Sequence, residues 1–499
     1  MILRVAPAET DGSGRRVDDV RAAHGVGGGH RQHQEKQSCS HQQIVSKYNE
    51  VMILLPTRDE MRSMWTLAAP IALMQLGMHT YGVVDTLFMG RLGPTELAGV
   101  GLGGSTFFTL ILFGMGTLFG VDSLSSQAFG AGKNDESAAV YIHALLLAAA
   151  ISLPLFFLVG LAKPFYAFVG VDPAISAVAL KYLSTLRWIT LPFLLFAASR
   201  QYLSSLSVTR PMLLAIFAGN IVNVFLNYGL VFGKLGLPKL GVTGCAIASV
   251  VNSWVMLAVV ASAAIRHVRQ SGYVVGSLRS SLLMKLIELG LPAGLQMLVE
   301  VSMFSLITTF MSRYGPVPTA AHQITMTLVS ITFMIPLGVS FAAAVRVGQA
   351  IGKGDPVAAI RSGRTALFMG VGFMCMTAVS FWTMPRFFAG LFTQEPEVLA
   401  LSASFLFVGG LFQIFDGMQI VLNGSIRGLG ETKIQLYAHL IGFGIIGLPL
   451  GVWLSFHAGF GPIGLWYGLL SGLTLTGVSL FFVWRSRAED YLMMASSST

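Results

Sequence analysis

Three carboxylates stand inside long apolar runs: Asp85 in YGVVDTLFMG, Glu300 in QMLVEVSMF and Asp416 in FQIFDGMQI. A charge at the centre of a membrane helix costs about 2.5–3.5 kcal/mol on insertion scales, so an acid kept there has a task or a partner. None of the three has a Lys or Arg within one helical turn. The chemistry open to them is to bind a cation, to carry a proton or to face a cationic substrate. The bland alternative is an acid held protonated by neighbouring helix backbone.

Other polar groups carry weaker signals. Asn220, Asn223 and Asn227 in GNIVNVFLNYG are spaced three and four apart, which places them on one helix face. Such a stripe either glues helices together or lines a cavity. Asp122 in FGVDSLSSQ lies near a helix end, where an acid costs less, and is equally open to a structural and a functional role. His79 and His322 fit satisfied interior histidines better than proton carriers. Glu288 is placed to favour a helix N-terminus, and Asp135, Asp172 and Asp355 to cap helices. Lys181 and Arg187 either snorkel outward or pair with an acid. Pro70, Pro192, Pro292 and Pro336 interrupt helical segments and are candidate bends.

The elements that must position these groups follow from composition. Of 499 residues, 54% are hydrophobic and 11% charged, against about 25% charged in soluble domains. That excludes an ordinary soluble enzyme, a disordered chain and a fibrous repeat. Apolar segments at 66–89, 97–121, 138–161, 176–199, 212–232, 244–265, 283–311, 320–345, 362–384, 398–422, 434–456 and 463–484 are each long enough to cross about 30 Å of hydrocarbon. Transmembrane strands would need alternating runs of about ten residues, so the fold class is all-α, a polytopic membrane protein of twelve helices. Lys and Arg divide about sixteen to six between the two sides, which puts both termini in the cytoplasm. The net charge of +9 is then topological, and no nucleic acid is expected. Cys39, Cys245 and Cys375 are too scattered for a disulfide framework or metal cluster.

The two halves repeat. LAAPIAL at 67–73 answers LGLPAGL at 289–295, with Pro70 on Pro292, a shift of 222. At the same shift GRLGP falls on SRYGP and QAFGAGK on QAIGKGD. Six helices per unit make the units parallel repeats, in which substrate lies between two rocking bundles. The expected organisation is a disordered cytoplasmic tail at 1–60, an N-lobe at 61–265, a basic linker at 266–281 and a C-lobe at 282–487. Residues 1–50 have no apolar period and are expected to be dispensable, with Met52, Met61 or Met64 as alternative starts.

No G-x-x-x-x-G-K-[ST] loop, H-E-x-x-H, G-x-S-x-G or D-D-x-x-D run occurs in the membrane part. The expectation is a non-enzyme without an ATP site or cofactor, driven by an ion gradient. VDTLFMGRLG followed by LAGVGLG, then SQAFGAGK, TAAHQI and D-x-x-Q-x-x-x-x-G-S-I-R-G-L-G-E-T, resembles the multidrug and toxic compound extrusion (MATE) family, nearest its NorM-like branch, over about residues 65–485. The resemblance implies two six-helix lobes and export of small organic cations or amphiphiles in exchange for Na⁺ or H⁺. It puts Asp85 with Asn223 and Asn227 in an N-lobe cavity. Glu300 and Asp416 fall in a C-lobe cation site, as Na⁺ ligands where Na⁺ is used. Asp122 departs from the NorM-like pattern. A monomer in the inner or plasma membrane is expected. The rivals are a flippase for a lipid-linked glycan, whose cavity would be lined with cations, and a receptor or scaffold, which needs no buried acids.

Overall fold

The computed structural model describes residues 55–273 and 278–497. The expected tail at 1–50 lies outside them. Among the described residues twelve helices are long and apolar enough to cross a membrane: α1 Arg58–Gly90, α2 Pro94–Gly130, α3 Asn134–Val169, α4 Pro173–Ser205, α5 Arg210–Phe232, α6 Val242–Gln270, α7 Ser280–Ser312, α8 Pro316–Gly352, α9 Pro356–Thr383, α10 Pro396–Gly428, α11 Lys433–Phe456 and α12 Pro462–Met494. Each exceeds its apolar run because polar residues continue the helix beyond the hydrocarbon. The first begins at Arg58, inside the segment expected to be tail, because Thr57 and Glu60 form a capping box at 2.8 and 3.3 Å. Likewise α6 and α7 shorten the linker to 271–279.

Local chemistry sets the starts and the breaks. Proline occupies the first turn of α2, α4, α5, α8, α9, α10 and α12, where its missing N–H costs nothing. Asp172 and Asp355 cap α4 and α9 as expected, accepting from Ala174 N at 2.8 Å and Ala358 N at 2.9 Å. Asp135 does not: it sits inside the first turn of α3, and Lys133 holds the cap position. Pro70, Pro292 and Pro336 lie inside α1, α7 and α8, and Pro192 lies three residues beyond the end of a 3₁₀ turn at Arg187–Ile189 in α4. A turn at Leu118–Phe119 splits α2, and residues Leu440–Gly447 of α11 form a π-helix.

Even-numbered helices return to the face from which α1 starts, here called the N-terminal face. The first half's core, built on Met64, Leu112, Phe196 and Val260, runs into the start of α7 and the end of α8 through Leu286, Ala293 and Phe341. The second half has its own core around Trp466, which stacks with Phe405 and meets Phe412 edge-on, both at 5.9 Å.

The halves are joined at the N-terminal face. Arg364 on α9 pairs with Glu60 at 2.9 Å, and Arg346 on α8 bonds Ser63. Gln349 donates to Ser205 O at 2.8 Å, and Gln127 to Gly428 O at 3.0 Å. The backbones come so close that a Cβ on Gly290 would overlap the Thr117 carbonyl.

Candidate functional site

Glu300 on α7 and Asp416 on α10 come together. Gln296, one turn before Glu300, donates to Glu300 Oε2 at 2.8 Å. The Gln419 amide, one turn beyond Asp416, donates to Glu300 Oε1 at 3.3 Å and to Asp416 Oδ1 at 3.2 Å. Asn423 donates to Gln419 Oε1 at 2.9 Å. Asp416 is buried, and the Glu300 side chain keeps 14% of its surface exposed. Two carboxylates thus converge with amides as neighbours, and among the described residues no Lys or Arg pairs with either.

The residue that completes this network is His439, fully buried on α11. Its Nδ1 lies 2.8 Å from the Gln435 carbonyl, which can only accept, so Nδ1 carries the proton. The opposite nitrogen, Nε2, is 3.2 Å from the Gln296 amide, 3.0 Å from Gln419 Oε1 and 3.6 Å from Glu300 Oε2. Gln435 in turn donates to Asn423 O at 2.7 Å. Neither His439 nor these amides stood out in sequence. The available signal was spacing: Gln296/Glu300, Gln419/Asn423 and Gln435/His439 are all polar pairs at i, i+4 inside apolar runs.

A second polar cluster lies in the first half. Asp85 on α1 is partly exposed; it accepts from Asn227 on α5 at 3.0 Å and from Ser249 on α6 at 3.2 Å. Asn227 also donates to Asn223 at 3.1 Å, and both asparagines are fully buried. Ser249 was not singled out from sequence. Asn220 is not part of this cluster. It donates to the Gly77 and Ile216 carbonyls at 3.2 and 3.0 Å, tying α5 to α1.

The remaining candidates lie elsewhere. His79 is exposed, not interior, since its position on α1 turns it away from the packed face. His322 is buried, 3.0 Å from Thr308 Oγ1 and edge-on to Trp466. Glu288 does more than favour a helix start: it pairs with Lys433 at 2.7 Å on the exposed surface. Lys181 is exposed, and Arg187 stacks over Phe156 at 4.6 Å instead of meeting an acid. Asp122 is buried and pairs with Arg427 of the other half at 3.5 Å.

Comparison with known proteins agrees with this architecture. One family model, MatE, matches the chain twice, at residues 70–229 and 292–453, so the two copies start 222 residues apart. The multidrug resistance protein NorM of Burkholderia vietnamiensis is 35% identical over 439 residues, covering 86% of this chain and 94% of that protein. The probable multidrug resistance protein NorM of Mesorhizobium japonicum is 33% identical over 441 residues, with 86% and 94% covered. In fold, the chain matches the eukaryotic MATE transporter AtDTX14 with a TM-score of 0.79 at 21% identity, over 88% of this chain and 99% of that one. A transporter of the MOP superfamily from Pyrococcus furiosus matches with a TM-score of 0.78 at 18% identity, over 89% and 98%. Twelve spanning helices in two duplicated halves, with a duplicated family match and NorM relatives along most of its length, make this chain a member of the MatE family of membrane transporters.

Proposed function

We propose that the chain is a secondary antiporter that exports cationic or amphiphilic organic compounds in exchange for Na⁺ or H⁺ by alternating access. The observation that carries this reading is the pair Glu300 and Asp416, held to one shared amide at the interior of the second half. Like charges so close repel unless a cation, Na⁺ or H⁺, joins them. The amide oxygens of the surrounding Gln and Asn side chains are the hard ligands that Na⁺ would add. Asp85, presented by Asn227 and Ser249, would serve the exported compound or a proton in the first half. Exchange requires competition: ion binding must lower the affinity for the exported compound, and the reverse by the same factor.

The excess of Lys and Arg on the N-terminal face supports assigning that face, and both termini, to the cytoplasm of a cell that carries the protein in its plasma or inner membrane. The joined N-terminal ends then describe a state closed to the cytoplasm. We take the functional unit to be one chain. A glycan-lipid flippase is not favoured, because the polar clusters inside each half are built on the acids Asp85, Glu300 and Asp416, while Arg200 and Arg427 are buried where the halves meet.

The test is efflux of an ethidium-like dye from proteoliposomes holding the full chain, with the Na⁺ and H⁺ gradients collapsed separately. Loss of efflux with one of the gradients supports the reading and names the ion. Efflux that survives collapse of both overturns it.

A further inference from the structure

Asp122 stands outside both acid clusters, and its surroundings are unusual. Arg427, from α10, lies with Nε 3.5 Å from Asp122 Oδ2. Arg200, from α4, lines the same small cavity as Asp122, together with Met74, Gln201 and Phe341. All three charged residues are at most 5% exposed. Arg200 donates to Gln75 at 3.1 Å, but its Nε and Nη2 have no hydrogen-bond partner among the described residues. Phe119 and Phe341 meet edge-on at 5.6 Å and wall the group in: Arg427 lies 4.3 Å over the first ring, and both guanidiniums lie 5.1 Å from the second. The site therefore holds two cations and one anion in a buried layer. The cations belong to opposite halves of the molecule.

That distribution sets what the acid can do. A buried ion pair barely breaks even against its desolvation, so Asp122 adds little net stability as a simple bridge. Its removal, however, would leave Arg200 and Arg427 facing one another across the seam with no counter-ion, and like charges in a poorly solvated layer repel strongly. We propose that Asp122 is a positioning residue of the transport cycle: its charge neutralises one arginine from each half and so permits the N-terminal face to close. When that face opens, all three groups regain water, which offsets the lost contacts and keeps the two states close in free energy. An apolar seal in the same place would have no such compensation.

The inference rests on the alternating-access reading, but its test measures separation of the halves and not efflux, so failure of either is distinguishable. Spin labels are placed at Lys133→Cys and Lys353→Cys, exposed residues following α2 and α8 on the N-terminal face, in the full chain with Cys39 and Cys375 replaced by Ser. Distances are read in lipid nanodiscs. Asp122→Asn is expected to raise the ratio of long to short distances at least about tenfold, a shift of about 1.4 kcal/mol. Arg427→Gln should open the face far less, because Asp122 then retains Arg200 within its own half. The double variant Asp122→Asn/Arg200→Gln should return toward the closed distribution, since one cation is gone. An unchanged distribution in folded Asp122→Asn overturns the proposal. So does equal opening by Arg427→Gln, or failure of the double variant to reclose. If Asp122→Asn does not insert, the double variant and Arg427→Gln are read against wild type: closed distributions in both support the proposal, and an open one in either overturns it.

Discussion

Glu300 on α7 and Asp416 on α10 accept from the same nitrogen, the Nε2 of Gln419, at 3.3 and 3.2 Å. The two acids are 116 positions apart in the chain, so only tertiary packing of α7, α10 and α11 can bring them to one donor. A single amide offers two hydrogens and no charge. It orients two carboxylates without neutralising either, which leaves room for a mobile cation to do so.

Replacing either acid by its amide should therefore remove the exchange while leaving the protein in the membrane. Coupling free energies between sites run about 1–3 kcal/mol, so Glu300→Gln and Asp416→Asn should each lower gradient-driven efflux by roughly 5–150-fold. Protein yield in the membrane fraction and the elution profile in detergent should stay near wild type. Full efflux in both variants would remove the site from the mechanism.

The asparagine stripe on α5 separates function from packing within one helix face. Asn227 bonds the Asp85 carboxylate, and a hydrogen bond to a charged group contributes about 1.5–3 kcal/mol. Asn227→Leu should weaken binding of the exported compound by about 10- to 150-fold, read by dye titration on the purified protein. Asn220 bonds only backbone carbonyls, so Asn220→Ala should lower stability by about 1 kcal/mol and leave dye affinity intact. Equal effects at the two positions would mean that the whole stripe is structural.

The contrast between those residues marks how far a sequence can be read. Twelve spans were legible because an apolar run of twenty residues has one stable solution in lipid. Asp85, Glu300 and Asp416 were legible because a charge inside such a run is a local anomaly. Partners were harder, since a partner is a fact about two helices. Arg427 is 305 positions from Asp122, and nothing local links them. His79 was misjudged as interior because periodicity along α1 does not say which arc faces a neighbour. His439 was passed over, although Gln435 four residues earlier repeats the spacing of Gln296 and Glu300.

His439 joins α7, α10 and α11 at one ring, and its loss should be felt on all three. His439→Leu fills the volume but takes from the Gln296 amide the Nε2 acceptor and from the Gln435 carbonyl the Nδ1–H donor that the ring supplies. A buried polar group left unpaired costs about 1–3 kcal/mol, so the thermal unfolding midpoint in detergent should fall clearly. His439→Gln restores an amide within reach of the same groups and should recover part of that loss. If His439→Leu unfolds with the wild-type midpoint, the ring is not holding the helices together.

What keeps His439 in place is the contact of α11 with α12, and this too can be tested. The turn after His439 widens into the π-helix Leu440–Gly447, and glycines on both helices face one another along the seam. A Cβ on Gly468 would overlap Gly451 Cα and lie 2.6 Å from the Gly447 carbonyl, so no other residue fits without separating the helices. Overpacking of this kind costs about 1–3 kcal/mol. Gly468→Ala should therefore push α11 away from α12, lower the unfolding midpoint and reduce gradient-driven efflux as His439 shifts against Glu300. Gly444 lies on the same π segment, but a Cβ there meets nothing within 4 Å. Gly444→Ala should keep both the wild-type midpoint and efflux. If the two substitutions behave alike, the seam does not position the site, and the ring must be held by Gln435 and its own helix.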